Sequence, residues 1–172
     1  MTAVNRPETT RFTEADETYM RLALRLAAEA AEEGEVPVGA VLVRDGTVIG
    51  TGRNRRESRR HPLGHAEIEA IDQGCRRLGG WRLSGSTLYV TLEPCPMCAG
   101  AILNARIDRV VYGAADPKAG SLGSVTDLFA LPYNHHPEVE SGLLQPECAQ
   151  ALSSFFQKLR KQKSKREGDP SV

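Results

Sequence analysis

Three scarcities bound this chain before any motif is read. No apolar run approaches the roughly 18 residues needed to cross a bilayer, and Met1–Thr10 holds no apolar core of a secretory leader. A cytoplasmic protein with no membrane contact is the expectation. Net charge is also missing: Lys plus Arg and Asp plus Glu number 22 each. No global field therefore favours a polyanion, and any contact with nucleic acid must come from local clusters. Cysteine is sparse, at 4 of 172 residues, and two of the four form Cys95-x-x-Cys98. In a chain without a leader, that spacing reads as metal ligands or a redox pair before it reads as a disulfide. No internal repeat and no second domain is visible, and the length suits one domain with a single core. The division expected is a loose polar arm at 1–11, a globular domain at 12–162 and a basic, polar tail at 163–172.

What is present is organised by two short runs, His65-Ala66-Glu67 and Pro94-Cys95-Pro96-Met97-Cys98. They supply one imidazole, two thiols and one carboxylate. Three borderline donors make an incomplete tetrahedron for zinc, and the open corner leaves a position for water. A structural site would close the shell with a fourth Cys or His, and none stands at ligand spacing. Glu67, two residues from His65, is where a proton shuttle would be wanted.

Around these runs the chain alternates helix and strand signals. Met20, Ala23, Leu24, Ala27, Ala30 and Ala31 recur at helical spacing over Glu14–Glu33, with Gly34 as the stop. The acids of this helix, Asp16 among them, read as a solvated outer face. Val36–Val43 reads as a strand, Asp45-Gly46 as a hairpin turn and Thr47–Thr51 as the returning strand. Gly39 within the first strand permits close approach of backbone or of ligand, and residue pattern alone does not choose.

Five arginines fall in the eight residues Arg53–Arg60, a loop that runs into His65. Arg55, Arg56, Arg59 and Arg60 are candidate phosphate contacts because they are tethered close to the metal donors. A second helix is expected over His65–Leu78, with Ile68, Ile71, Cys75 and Leu78 on its buried face. A strand over Ser86–Leu92 precedes a helix from Pro96 to about Ala105, and a further strand covers Ile107–Gly113. Two helix starts would then face one metal, where the positive dipole end favours thiolates. Ala114–Ser124 is rich in small and turn residues and reads as a loop lining substrate. The last helix, from Pro146, carries Cys148, Leu152, Phe155 or Phe156, and Leu159 as a core stripe. Its distal part is basic and includes Arg160, another candidate phosphate contact.

The order VPVGAVLV, GTGRN, HAEI, LYVTLEPCPMCAGAI, VVYGA, AGSLGS and the FF of the last helix resembles the bacterial tRNA-specific adenosine deaminases of the cytidine deaminase superfamily. The likeness covers roughly residues 14–160. It implies an α/β fold, a three-layer αβα sandwich around a mixed five-stranded sheet, with the fifth strand near Val139–Leu144. It also implies zinc on His65, Cys95 and Cys98, with Glu67 as the proton shuttle. The activity implied is hydrolytic deamination of the wobble adenosine to inosine in the anticodon loop of an arginine tRNA, by a homodimer. By the same likeness Asn54 hydrogen-bonds the flipped base; Ala66, having almost no side chain, leaves a backbone N–H at the helix start within reach of a base. Asp116 lies near the sugar, and Asn134 and His135 form a turn contacting RNA. Asp116-Pro117 and the second histidine, His136, depart from the pattern. A small-molecule deaminase acting on guanine, cytosine or a riboflavin-pathway pyrimidine shares the zinc residues and is the alternative. A structural zinc module that binds RNA without reaction is the third reading.

Overall fold

The computed structural model describes residues 11–167. Most of the expected arm and the end of the expected tail therefore lie outside the described residues. The elements in chain order are α1 (Glu14–Glu32), β1 (Gly39–Arg44), β2 (Thr47–Arg53), α2 (Ala66–Leu78), β3 (Ser86–Leu92), α3 (Pro96–Ala105), β4 (Arg109–Ala114), β5 (Glu138–Ser141) and α4 (Gln145–Glu167). The sheet order is β2-β1-β3-β4-β5. β1 runs antiparallel to β2 and β3, while β3, β4 and β5 are parallel. One apolar cluster joins the sheet to α2 and α3, centred on Leu42, Leu88, Val90, Ile102 and Val110. A second, with Met20, Val41, Tyr89, Val111 and Cys148, joins the other face to α1 and α4. This is the three-layer αβα sandwich with a mixed sheet.

Local chemistry accounts for the ends of the elements. Thr13 caps α1 in a reciprocal box with Asp16, and Gly79 ends α2 in the left-handed region at φ 68°. Pro37 donates no backbone hydrogen bond, and Val38 N turns back to Val36 O (2.9 Å) across it, so β1 starts at Gly39 rather than Val36. The fifth strand is Glu138–Ser141, shorter and earlier than Val139–Leu144, because Gly142 turns at φ 95° and Leu144 at φ 49°.

Packing departs from the expected pattern in α2. Its buried residues are the small ones, Ala66, Ala70 and Gly74, with Glu67, whereas Ile68, Ile71 and Cys75 are half-buried and Leu78 is exposed. The cause lies in β2. A Cβ on Gly50 would stand 2.1 Å from Ala70 O, and one on Gly52 would stand 2.0 Å from Ala66 O. Backbone meets backbone there, and only a small-residue face fits. Gly39 resolves the same way toward backbone rather than ligand, with its Cβ position 1.9 Å from Ala23 O of α1.

Asp16 is a second departure. It is buried and accepts hydrogen bonds from Tyr89 Oη (2.7 Å) and Arg109 Nη1 (2.8 Å). The rest of that helix face behaves as surface, with Glu29 and Glu33 paired to Arg53. Cys148 packs in the core as expected, but the stripe of α4 is covered only in part, since Phe156 and Leu159 are exposed. Among the described residues, no helix is long and apolar enough to cross a membrane.

Candidate active site

The site forms where α2 and α3 begin, at the C-terminal end of β3. His65 is the N-cap of α2 and Cys95 the N-cap of α3, and neither side chain makes a capping hydrogen bond. Both are thus free of the helices they introduce and turn toward each other. His65 Nδ1 lies 3.6 Å from Cys95 Sγ and 3.5 Å from Cys98 Sγ. All three donor atoms fall within 4.8 Å of one another. A tetrahedral zinc with Zn–S near 2.3 Å and Zn–N near 2.0–2.1 Å requires an N···S edge of roughly 3.6 Å. The donor set and its spacing fit that ion.

The two thiols are shifted in opposite directions. A hydrogen bond from Cys98 draws the Cys95 thiol down to about 4, helped by His65, while the same bond and burial push Cys98 up. His65 is raised, first by its hydrogen bond with Cys95. A cation between the three atoms would hold the cysteines as thiolates.

Glu67 sits beside them in the first turn of α2, 4% exposed. Burial is the main reason its carboxyl is pushed up to about 7. A carboxyl group poised near neutrality both accepts and releases a proton, as a shuttle must.

Above these groups lies a cavity of about 200 Å³, with Val36, Val38 and Leu92 among its apolar walls and Asn54, Glu67 and Asp116 among its polar ones. Sites for drug-sized ligands run to roughly 300–1,000 Å³, so this one suits a single flat base. Asn54 is buried at the end of β2. Its Nδ2 donates to Val36 O (3.2 Å), and its Oδ1 accepts from Arg56 N (3.3 Å). These bonds fix the amide plane against the cavity. Ala66 is fully buried at the first position of α2 and lines the same space. Asp116 Oδ1 accepts from Lys118 N (2.9 Å) and Ala119 N (3.3 Å), so this acid also braces its own loop.

The remaining candidates fall outside the cavity or on its rim. Of the four loop arginines only Arg56 lines it. Arg55 and Arg59 both reach Glu69 Oε1, at 3.2 and 3.1 Å, and Arg56 also pairs with Glu57. Arg60 is exposed, as is Arg160 on α4. Asn134 is exposed, and His135 Nε2 bonds Ile107 O at 2.7 Å, before the start of β4. That is the end of the strand away from Ala114 and the cavity.

Two buried acids that the motif reading passed over hold the walls. Glu35 accepts from Glu57 N (3.1 Å) and Ser58 N (2.6 Å), pinning the arginine loop. Glu93 accepts from Asp116 N, Leu122 N and Ser124 N (3.0, 3.0 and 3.1 Å) and from Ser124 Oγ. Burial alone would raise the Glu93 carboxyl, but Ser124 and the three amides hold it below the usual carboxylate range. The available signal was a charge directly abutting an apolar strand, before VPVGAVLV in one case and after LYVTL in the other.

Comparison with known proteins agrees with this geometry. A family model described as MafB19-like deaminase matches residues 14–160. A tRNA-specific adenosine deaminase of Bacillus subtilis is 52% identical over 149 residues, covering 86% of this chain and 92% of the relative. A solved structure from a study of A-to-I editing by tRNA:A34 deaminases at the wobble position of transfer RNA is 51% identical. It has a TM-score of 0.76, and the match covers 78% of this chain and 99% of that one. A Bacillus subtilis guanine deaminase is more distant, 35% identical with a TM-score of 0.58, over 87% of this chain and 95% of its own.

Proposed function

The chain belongs to the MafB19-like deaminases and, among them, to the tRNA-specific adenosine deaminases, and on that premise we propose that it converts the wobble adenosine of a tRNA anticodon loop to inosine. The observation that carries the reading is the donor triangle of His65, Cys95 and Cys98 with the buried Glu67 carboxyl beside it, under a cavity the size of one base. An anticodon base is already unpaired, so extruding it into such a cavity costs little.

His65, Cys95 and Cys98 would hold the zinc. When bound, that ion lowers the pKa of water from about 15.7 toward 7, less strongly with two thiolate donors than with neutral ones. Glu67 does the proton work. It takes a proton from the attacking water, delivers it to N1 of the purine and later protonates the departing amine. A C6–O bond forms, the C6–N bond breaks, and ammonia leaves. Asn54 orients the base, since its amide presents a donor and an acceptor together. The Ala66 backbone N–H at the helix start and the braced Asp116 complete the surround of the nucleoside.

Arg56 on the rim, with Arg60 and Arg160 beyond it, supplies phosphate contacts. Arg55 and Arg59 join them only by leaving or sharing Glu69. Asn134 and His135 serve RNA outside the target nucleotide. An arginine tRNA is the proposed substrate and the cytoplasm the proposed compartment, where tRNA and reduced thiols coexist. A second copy of the chain completes the assembly, and the exposed Leu63 and Leu78 with half-buried Ile68 offer it apolar surface.

Incubation with total tRNA followed by nucleoside analysis tests the reading, with a metal chelator as control. Inosine should appear in tRNA and vanish with chelator, and neither free adenosine nor free guanine should lose its amine. Release of ammonia from a free base with none from tRNA would favour the small-molecule alternative.

A further inference from the structure

Glu93 has no role in the chemistry above, yet it is 2% exposed and stands two residues before Cys95. Its two oxygens receive four hydrogen bonds, all from the loop that follows β4. The loop backbone approaches closely at Gly120, where a Cβ would lie 2.3 Å from Glu93 Cδ. Glu93 N also donates to Ala114 O (2.8 Å), and Ser121 N donates to Pro94 O (2.9 Å). Through these bonds one carboxylate ties the loop bearing Asp116 and Ala119, which line the cavity, to the segment bearing the metal donors.

We infer that Glu93 is a positioning residue that holds the 116–124 loop in the form able to receive the target nucleoside, and so sets substrate affinity rather than turnover. The inference rests on the reading that the cavity takes a base of RNA. Four donors already occupy the carboxylate, so it is not available to relay a substrate proton. The loop has no regular secondary structure of its own among 115–121. Without the carboxylate its N–H groups lose their acceptor, and the receptive form becomes a minority state. Apparent affinity then falls by the fraction of molecules still receptive. Bound molecules still react at the normal rate, because Glu67 and Cys98 lie on α2 and α3, and His65 and Cys95 are the N-caps of those helices.

The test compares wild type, Glu93→Gln, Ser124→Ala and the double variant on a stem-loop RNA with an unpaired adenosine. Zinc content and amide hydrogen exchange are measured in parallel. Glu93→Gln should raise KM about tenfold, with kcat within about threefold and zinc content unchanged. Ser124→Ala should raise KM about threefold, and the double should be no worse than Glu93→Gln, because Ser124 acts through that carboxylate. Exchange should quicken at 116–124 and stay unchanged in α3. A fall in kcat at constant KM, loss of zinc, an additive double or an unchanged KM would each overturn the inference. If Glu93→Gln does not fold, Ser124→Ala decides by the same KM and exchange criteria. An inert wild type would fail the deaminase reading alone. Exchange would then judge Glu93: quickening at 116–124 supports its role, and no change overturns it.

Discussion

Replacing Gly52 with Ala should disable the site by displacing the helix start that carries it, with every metal donor and Glu67 left in the sequence. A Cβ at Gly52 would lie 2.0 Å from Ala66 O, about 1 Å inside the 3.0 Å that real Cβ atoms keep, and 2.9 Å from Ala70 N. These are backbone atoms of the first turns of α2 and cannot rotate away. The start of the helix must lift from β2 by about 1 Å, carrying His65 and Glu67 with it. Overpacking of this kind costs about 1–3 kcal/mol, which in a domain of this size lowers Tm by about 2–12 °C. The functional loss should be larger in proportion. Metal–ligand distances tolerate about 0.2 Å, and a 1 Å misplacement of catalytic groups costs about 10²-fold in rate. Cys95 and Cys98 sit on α3 and would not follow the shift. The assay is a thermal melt, zinc content and tRNA turnover on the same preparation. Gly80→Ala, where a Cβ meets nothing within 4 Å, is the control and should match wild type. Gly52→Ala with native Tm, zinc and turnover would refute the claim that backbone contact with β2 seats the helix.

Three further outcomes are expected. Glu67→Ala should keep fold and zinc and lose turnover by about 10²–10⁴-fold; a rate near wild type would mean another group moves the proton. Asp16 lies far below its ordinary 3.8: burial would raise it, but hydrogen bonds from Arg109, the Thr13 amide and Tyr89 outweigh that. A depressed carboxyl contributes stability in full above about pH 4 and loses it as pH falls through and below that value. Asp16→Asn should therefore destabilise the fold at neutral pH by about 3 kcal/mol, since Arg109 keeps Glu140, and flatten the acid limb of Tm against pH. Acid limbs that stay parallel would remove Asp16 from the account. Neutralising Arg56 and Arg60 together should reduce the slope of log K against log salt by roughly 0.7 per phosphate lost, and an unchanged slope would take both out of the RNA interface.

The chemistry of the site was legible in the residues because it is local. One imidazole, two thiols at x-x spacing and an acid two residues from the histidine supply a donor set and a neighbouring carboxyl in any fold that brings them together. Helix starts, the Asp45-Gly46 turn and the apolar strands were legible for the same reason, since each depends on a few neighbouring residues. What spans long separations was decided only by the tertiary structure. Asp16 reads as surface until Arg109, 93 residues away, is folded onto it. The loop arginines read as unpaired until Glu69 turns back to meet two of them. The large apolar residues of α2 read as its buried face, but Gly50 and Gly52 leave room only for Ala66 and Ala70. Glu35 and Glu93, which no motif singles out, acquire partners only when the loops they brace close over them. A side chain carries its own chemistry in the sequence; its burial and its partners come from chain segments that meet only on folding.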